Sequence, residues 1–292
     1  MIGLLGSGFG LYGHLPALVE LGQCIYIPRR YRSVLDQRTE LQQYCTSVHF
    51  VDDESKLTTA ADLLILAQRP NDNKINAEQV AHDNRHIQLV IEKPLASTPL
   101  EAINLDHLLR EAGIRHATPY LFVYCDWAQV CECEISAGRG LDIQLNWCFN
   151  SHHSSSSWKS VPKEGGGTLN FYFIHVIALV CFLYKSLRPL ECSVYIDDYR
   201  GNVGITARHG QHMFTANFSP STSDASFTLT VDNKVLVSAL TPFGDIPRRG
   251  VRDPRIDILK RFYVTEVFNQ QHDTSTGDWR HDTLLRWKDM MR

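Results

Sequence analysis

Short, nearly continuous apolar runs alternate with polar segments through the first 118 residues. Runs of this kind are typical of strands that are buried on both faces of a sheet. Apolar residues at helical spacing follow the first run, and further helices are predicted at Asn76–Asn84 and Pro99–Ala112. Strands that alternate with helices predict a doubly wound parallel sheet. The predicted strands are 2–5, 24–27, 48–51, 63–67 and 87–91.

The pattern changes near residues 117–121, after which apolar and polar positions alternate with a period of two. This period is expected of strands that bury one face, as in an antiparallel sheet. Helices at Phe171–Tyr184 and Pro254–Asn269 are predicted to cover one face of this second sheet, and Asp232-Asn233 predicts a hairpin turn. We therefore predict an α/β protein with two domains, 1–118 and 119–292. The predicted strands of the second domain are 142–147, 192–196, 203–207, 213–218, 226–231 and 234–237.

Composition excludes several classes of partner. The formal charge is −3, and neither nucleic acid nor a membrane surface is expected to bind so balanced a chain. The apolar stretch Phe171–Tyr184 is shorter than the roughly 20 residues that span a bilayer, so we expect a core helix. No signal peptide is recognisable at the start, and a cytoplasmic location is expected.

Cysteine and histidine patterns add little chemistry. The eight cysteines include no Cys-x-x-Cys pair, so a disulfide framework is not expected. Cys131 and Cys133 are predicted to share one face of a strand, as core residues. His152-His153 lies beside four serines, without a neighbouring ligand at metal spacing, and no metal site is expected.

A glycine-rich turn follows the first strand and precedes a helix. In the dinucleotide fingerprint, such glycines permit a tight turn and let the backbone approach a pyrophosphate, while the helix N-terminus supplies N–H groups. The third fingerprint position is Leu11, so an ordinary β-α turn is the alternative. Because the turn follows the first strand of a β-α series, we favour cofactor binding. The residues proposed to hold the cofactor are Gly6, Ser7, Gly8, Phe9 and Gly10.

The end of the second strand bears on the choice of cofactor. An acidic residue there would bind the ribose hydroxyls of NAD, whereas this chain has Arg29 and Arg30. Guanidinium groups suit the 2′-phosphate of NADP. We therefore favour NADP over NAD; a solvated basic turn is the alternative.

Four segments, in the correct order, resemble the motifs of one family. They are Gly6–Gly10 with His14–Leu18, Glu92–Leu95, Trp158-Lys159, and Gly165–Leu169 with His175. On these segments the chain resembles the Gfo/Idh/MocA oxidoreductases, which include glucose-fructose oxidoreductase and inositol dehydrogenase. The resemblance implies an N-terminal Rossmann domain, a C-terminal domain with a large open sheet, and hydride transfer between nicotinamide and a sugar-like carbon. It also implies a homo-oligomer, either a dimer or a tetramer.

Within the resemblance, the family's lysine corresponds to Lys93, beside Glu92, and both residues are expected to bind the cofactor together with Arg29 and Arg30. The position has an independent rationale, because ligands bind at the carboxyl ends of strands in an open parallel sheet. Pro94 restricts the backbone of the preceding residue. An ammonium group there can hydrogen-bond the reacting oxygen and exchange its proton. The alternative is a surface lysine paired with Glu92.

The second-domain motif departs from the family. Its Asp, Gly, His and Asp positions correspond here to Phe171, Phe173, His175 and Ala178, so only the histidine survives. Phe171 lies on the same helix face as His175 and removes a hydrogen-bond partner. Tyr172 carries a hydroxyl, but about 100° further round a regular helix.

The substrate-binding residues expected from the sequence are Lys93, Trp158, Lys159, Tyr172 and His175, with Lys93 and His175 catalytic. The sequence thus predicts an NAD(P)-dependent oxidoreductase that acts on a sugar or nucleotide sugar. The alternative is a catalytically silent NAD(P)- or sugar-binding sensor. Arginines near residue 250 face either an anionic substrate or solvent.

Overall fold

The structure is a computed structural model that describes residues 1–83, 87–150, 157–185, 191–196, 202–221, 224–246, 248–269 and 278–291. The chain divides into two compact units. The first is Met1–Pro119 with Pro247–His272, and the second is Tyr120–Ile246 with Asp273–Arg292.

The first unit is built on a six-stranded parallel sheet, as the apolar runs predict. Its strands lie in the order β3-β2-β1-β4-β5-β6, so the order reverses direction between β1 and β4. All four residues of β4 are buried, which explains its uninterrupted apolar sequence. The strands are β1 (Ile2–Leu5), β2 (Ile25–Pro28), β3 (Val48–Val51), β4 (Leu63–Leu66), β5 (Gln88–Ile91) and β6 (His116–Ala117).

Helices connect these strands. The one predicted at Asn76–Asn84 begins earlier, at Pro70, because proline fits the first turn of a helix and Asn73 accepts a hydrogen bond from the Gln68 N–H at 2.9 Å. The α-helices are α1 (Leu15–Glu20), α2 (Arg32–Asp36), α3 (Ser55–Ala60), α4 (Pro70–His82) and α5 (Pro99–Glu111). A π-helical turn, Gly10–His14, precedes α1, and 3₁₀ turns span Arg29–Tyr31 and Thr39–Ser47.

The second unit contains a six-stranded, mostly antiparallel sheet, as predicted. Its order is β12-β11-β7-β10-β9-β8. Among the described strand pairs of this second sheet, only β7 and β10 run parallel. Asp232 and Asn233 both have positive φ, which suits the two-residue hairpin predicted there. The strands are β7 (Asp142–Asn150), β8 (Glu191–Ile196), β9 (Val203–His209), β10 (His212–Ser221), β11 (Ser226–Val231) and β12 (Lys234–Ala239).

The apolar stretch of the second unit is a core helix, as predicted. It lies within Pro162–Leu183, whose most apolar window is 83% buried. The helices here are α6 (Asp126–Ser136) and α7 (Ile174–Leu183), with a π-helical turn at Thr168–Phe173 and 3₁₀ turns at Leu121–Tyr124, Trp158–Ser160 and Pro162–Glu164. The strand expected around Cys131 is wrong, because those residues lie on α6, where Cys131 is buried and Cys133 is exposed.

The chain near its C-terminus differs from the prediction. Helix α8 (Arg255–Phe262) and the π-helical turn Tyr263–Phe268 group with the first unit, whereas the prediction assigns this helix to the second domain. We call residues 248–269 the return segment. It is held to α1, where Glu20 accepts hydrogen bonds from Arg252 at 2.7 Å and from Lys260 at 3.1 Å.

Helix α9 (Trp279–Met290), which the sequence pattern does not predict, covers α7 in the second unit instead. Its Trp287 is fully buried and donates a hydrogen bond to the Asn170 side chain at 3.0 Å.

Candidate functional site

The glycine turn lies at the carboxyl end of β1, beside the point where the strand order reverses. Gly6 has a φ of 141°, and a Cβ atom there would lie 2.1 Å from the carbonyl oxygen of Ala67, which follows β4. The Gly6 N–H donates to the hydroxyl of Tyr31 at 3.0 Å. Only glycine therefore lets this turn pack against the end of β4.

Gly8 has the opposite environment. It is exposed, and a Cβ atom added to it would meet nothing within 4 Å. Ser7 is exposed beside it. The backbone at Ser7 and Gly8 is thus open to a ligand at the start of a helical turn, where N–H groups favour an anion.

Phe9 and Gly10 turn inward. A Cβ atom at Gly10 would lie 3.3 Å from the side chain of Ala67, and one at Gly13 would lie 2.3 Å from the Phe9 ring. The Phe9 ring packs under the Arg255 guanidinium at 4.3 Å. Gly10 and Gly13 thus relieve the crowding in the helix that follows, while Leu11, at the fingerprint's third position, is fully buried.

Arg29 and Arg30 follow β2 at the same edge of the sheet. Both are about half exposed; Arg29 forms an ion pair with Asp52 and Arg30 with Glu54. The hydrogen bonds to these carboxylates raise the pKa values of both arginines. No motif marks these acidic partners, but the sequence carries a signal for them, because Asp52-Asp53-Glu54 directly follows β3, the strand next to β2.

Glu92 belongs to a buried hydrogen-bonded chain. Its carboxylate is 2.8 Å from Nε2 of His14, whose Nδ1 is 2.6 Å from the hydroxyl of Tyr263. In the tautomer that carries its proton on Nε2, His14 donates to this carboxylate and accepts the Tyr263 O–H at Nδ1. Burial, and then the charge of Glu92, raise the pKa of Tyr263, so the phenol keeps its proton. We call these three residues the buried relay.

Lys93 lies just beyond the end of β5, next to Glu92 of the buried relay. It is half-buried, and its peptide bond to Pro94 is cis. The Glu92 N–H donates to the carbonyl oxygen of Leu66 at 2.8 Å, which aligns the ends of β4 and β5. The glycine turn, Arg29–Arg30 and Lys93 therefore occupy one edge of the parallel sheet, where the carboxyl ends of its strands lie.

In the second unit, His175 lies in the first turn of α7. It is 4% exposed, and its ring stacks on Phe122 with the ring centroids 5.1 Å apart and an interplanar angle of 16°. The structure thus places this histidine in an aromatic part of the core.

Four other residues of the second unit form a cluster. Trp158 and Phe171 meet edge to face at 5.5 Å, and Nζ of Lys159 lies 5.3 Å from the centroid of the Phe171 ring. Tyr172 contacts Phe171 at 5.0 Å and stacks on Phe149 at 4.2 Å. We call Trp158, Lys159, Phe171 and Tyr172 the aromatic cluster. It brings together three of the predicted substrate residues around the position where the family has a carboxylate.

The glycine run joins the two halves of this motif. A Cβ atom at Gly166 would lie 2.2 Å from the carbonyl oxygen of Trp158. Gly165 and Gly167 both have a φ above 80°, in the region that favours glycine. The glycines therefore fix Trp158 and Lys159 against the start of the helix that carries Phe171 and His175.

No protein-family model matches this sequence, and no curated protein matches it. Its fold, however, matches many solved structures. A WlbA dehydrogenase from Bordetella pertussis, solved with NADH and UDP-GlcNAcA, is 17% identical with a TM-score of 0.69, and the match covers 100% of this chain and 97% of that one. The dehydrogenase MviM from Clostridium difficile is 13% identical with a TM-score of 0.69, covering 99% and 98%.

A third solved structure is a super-repressor variant of Gal80p from Saccharomyces cerevisiae, 12% identical with a TM-score of 0.68, covering 99% and 96%. Its name describes repression and not a reaction. The fold predicted from the motifs is thus confirmed: the chain has the Rossmann-plus-open-sheet fold of the Gfo/Idh/MocA-type dehydrogenases.

Proposed function

We propose that the protein is a nicotinamide-dependent oxidoreductase. One observation carries the proposal: the exposed backbone at Gly8 and the side chain of Lys93 lie at the same edge of a parallel sheet, next to its switch point. Open α/β sheets bind their ligands at such points. Solved proteins of this fold were crystallised with NADH or NAD, which supports the choice of a nicotinamide dinucleotide.

In this proposal, separate residues of the first unit bind the pyrophosphate and transfer the proton. Backbone N–H groups at Ser7 and Gly8 bind the pyrophosphate, aided by the N-terminal end of the first helical turn. When bound, the nicotinamide supplies hydride transfer at a carbinol or keto carbon. Lys93 accepts the hydroxyl proton as the carbinol is oxidised, and it returns a proton to the oxygen in the reverse direction. The buried relay fixes the backbone on which Lys93 is mounted.

His175 and the aromatic cluster are proposed to select the substrate. The ring faces of Trp158 and Tyr172 suit the apolar faces of a sugar ring, and the Lys159 ammonium suits a hydroxyl or an anionic group. His175 keeps the role that the resemblance implies: it is proposed to orient the substrate hydroxyl through the 4% of its surface that is exposed. A sugar or nucleotide sugar is therefore the proposed substrate, in line with the UDP-GlcNAcA bound to the WlbA dehydrogenase.

NADP is the proposed cofactor in preference to NAD. A 2′-phosphate must compete with Asp52 and Glu54 for Arg29 and Arg30. Both ion pairs are exposed, and exposed pairs contribute little, whereas a phosphate accepts stronger, paired hydrogen bonds from guanidinium groups. We expect Arg29→Gln with Arg30→Gln to weaken NADPH binding and leave NADH binding unchanged, as measured by fluorescence quenching. Equal effects on both would refute the NADP preference.

The catalytic assignment is tested by Lys93→Ala. Keto sugars and nucleotide sugars are first screened with NADPH for loss of absorbance at the nicotinamide band. With any substrate found, we expect the variant to lose turnover while it still binds NADPH, because the ammonium group contacts the reacting oxygen and not the dinucleotide phosphates. Lys56→Ala, which removes an exposed lysine of the same unit, is the control. Loss of NADPH binding in Lys93→Ala would instead make Lys93 a structural residue.

A non-catalytic sensor is the second candidate, and Phe171 favours it. The ring stands where the family has a carboxylate, and Gal80p provides a repressor with the same fold. If the chain only senses, NADPH binds tightly and no sugar is turned over. Introducing the carboxylate as Phe171→Asp should then produce turnover that the native chain lacks. Turnover by the native chain would exclude this candidate.

A further inference from the structure

A cavity of about 250 Å³ lies in the first unit between α1, the 3₁₀ turn Thr39–Ser47 and the return segment. Five arginines line it, against the two carboxylates of Glu40 and Asp253. We call it the arginine cavity. Neither the glycine turn nor residues at the carboxyl ends of the strands belong to its lining, although Arg255 in its wall contacts the Phe9 ring of the glycine turn at 4.3 Å. The five arginines are Arg38, Arg248, Arg249, Arg252 and Arg255.

Three of these arginines are neutralised. Arg38 pairs with Glu40 at 2.6 Å, and Arg255 pairs with Asp253 at 2.6 Å. Arg252 pairs with both Glu20 and Asp257. These ion pairs fix the walls of the cavity, because they tie Arg252 to α1 through Glu20 and to α8 through Asp257.

The other two arginines carry charge that no described carboxylate balances. Arg249 donates from its guanidinium to the backbone carbonyl of Gln37 at 2.7 Å, and Arg248 is exposed, with no ion pair in the part of the chain that the structure describes. The two residues are consecutive in sequence and both line the cavity, and their two charges match the charge of a phosphate monoester, which is −1.5 to −2 at about pH 7. They also match its geometry, because guanidinium groups bind phosphate oxygens in pairs.

Glu40 adds a hydrogen-bond acceptor to the wall of the cavity. Its side chain is only 5% exposed, and Oε1 accepts from Arg38 at 2.6 Å. Burial raises the pKa of Glu40, but nearby backbone N–H groups and Arg38 outweigh burial and lower it, so the carboxylate can only accept. Because Glu40 lines the cavity and can only accept, a hydroxyl is the ligand group that suits it.

From these observations we propose that the arginine cavity binds the phosphate monoester of a small polyol, such as a pentose phosphate. Arg248 and Arg249 bind the phosphate, and Glu40 accepts a hydrogen bond from a hydroxyl of the carbon skeleton. The cavity volume of about 250 Å³ lies just below the roughly 300 to 1,000 Å³ of sites for drug-sized ligands, so it suits a smaller ligand such as a pentose phosphate. Tyr12, Leu41 and Ile256 supply apolar wall to the skeleton.

The test is calorimetric titration of the full chain with ribose 5-phosphate, ribose and inorganic phosphate. We expect ribose 5-phosphate to bind, inorganic phosphate to bind more weakly and ribose not to bind. Combining Arg248→Gln with Arg249→Gln should weaken ribose 5-phosphate binding by about tenfold or more, because two charge-assisted bonds are lost. Both side chains lie at the surface, so the variant should fold. Arg139→Gln, an exposed arginine of the second unit, is the control.

Glu40→Gln separates the two halves of the ligand. It should weaken ribose 5-phosphate towards the affinity of inorganic phosphate, while inorganic phosphate itself binds as before or more tightly. Saturating NADPH should leave these affinities unchanged. The proposal is overturned if ribose 5-phosphate fails to bind at millimolar concentration, if the arginine variants bind it as the native chain does, or if NADPH displaces it. Inorganic phosphate binding as tightly as ribose 5-phosphate would overturn the polyol part.

Discussion

The two glycines of the turn differ sharply in what surrounds them. Gly6 combines a φ of 141° with a Cβ position 2.1 Å from a backbone oxygen, whereas Gly8 faces open space. We expect Gly6→Ala to lower the free energy of unfolding by roughly 2 to 4 kcal/mol, because the backbone of Ala67 cannot move away without disturbing β4. Urea unfolding measures this, with Gly8→Ala as the matched control. Equal stability of the two variants would mean that the turn is not packed as described.

Tyr263 tests the buried relay at the same scale. Tyr263→Phe removes the O–H that His14 accepts, and it leaves a buried ring nitrogen without that partner. We expect a loss of about 1 to 3 kcal/mol in stability. If the relay also positions Lys93, the pH profile of turnover should shift in Tyr263→Phe. Tyr26→Phe, on β2, is a control in which neither quantity should change. A stability loss without any shift in the pH profile would limit the relay to a structural role.

Some residues of the site can be predicted from the sequence, and others cannot. Gly6, Gly8 and Lys93 follow from motifs whose chemistry is local, so their positions at the sheet edge could be predicted. The partners of Arg29 and Glu92 could not, because they come from neighbouring strands or distant segments. Tyr263 lies 249 positions from His14 and carries no motif.

At the scale of elements, Glu20 is the attachment point between α1 and the return segment. Hydrogen bonds from Arg252, opposed by burial and aided by Lys260, lower the pKa of Glu20 from 4.5 to about 2. Because the folded value lies below the ordinary one, the stability that Glu20 contributes is fully present above about pH 4.5. It is lost as the pH falls towards 2.

We therefore predict that Glu20→Gln is less stable than the native chain at neutral pH, by on the order of 2 kcal/mol after allowing for partial exposure. The difference should shrink between about pH 5 and pH 2, as the native carboxylate becomes protonated. Urea unfolding across this range measures it. Glu111→Gln removes an exposed carboxylate at the end of α5 and serves as control. A difference independent of pH would contradict the ion pairing.

The return segment also shows what the periodicity of apolar residues does not predict, namely the unit against which a helix packs. Helix α8 is predictable from its apolar spacing, but that spacing does not say which sheet the helix covers. The choice depends on the ion pairs of Glu20 with Arg252 and Lys260, which lie 232 and 240 positions away from it in sequence. The short apolar pattern around Cys131 fits either a helix or a strand. In helix α6, residues two positions apart point to different faces, so Cys131 is buried and Cys133 is exposed.

At the scale of the whole molecule, each unit is completed by chain from the C-terminal part. Trp287 of α9 is fully buried in the second unit, and its indole N–H bonds to Asn170. We expect Trp287→Ala to destabilise the second unit by about 3 to 5 kcal/mol. Hydrogen exchange should show lower protection in α7 and unchanged protection in β1 and β4. Loss of protection throughout the chain would indicate that the two units unfold together.

The class of fold was predictable, because short buried runs and alternating runs distinguish the two sheets by themselves. The division of the chain into domains was harder to predict. The sequence pattern assigns everything after residue 118 to one domain, whereas residues 247–272 group with the first unit. That grouping depends on ion pairs and a buried tyrosine, which no composition shift marks.

The central claim is that the exposed backbone of the glycine turn holds a dinucleotide. It is tested most directly by titrating the native chain and Gly8→Leu with NADPH and NADH, following fluorescence. The Leu side chain has open space around it in the folded chain, so the melting temperature should be unchanged, but it occupies the space that the pyrophosphate needs. We predict binding by the native chain and none by Gly8→Leu. Absence of binding by the native chain, or equal binding by both, would contradict the account.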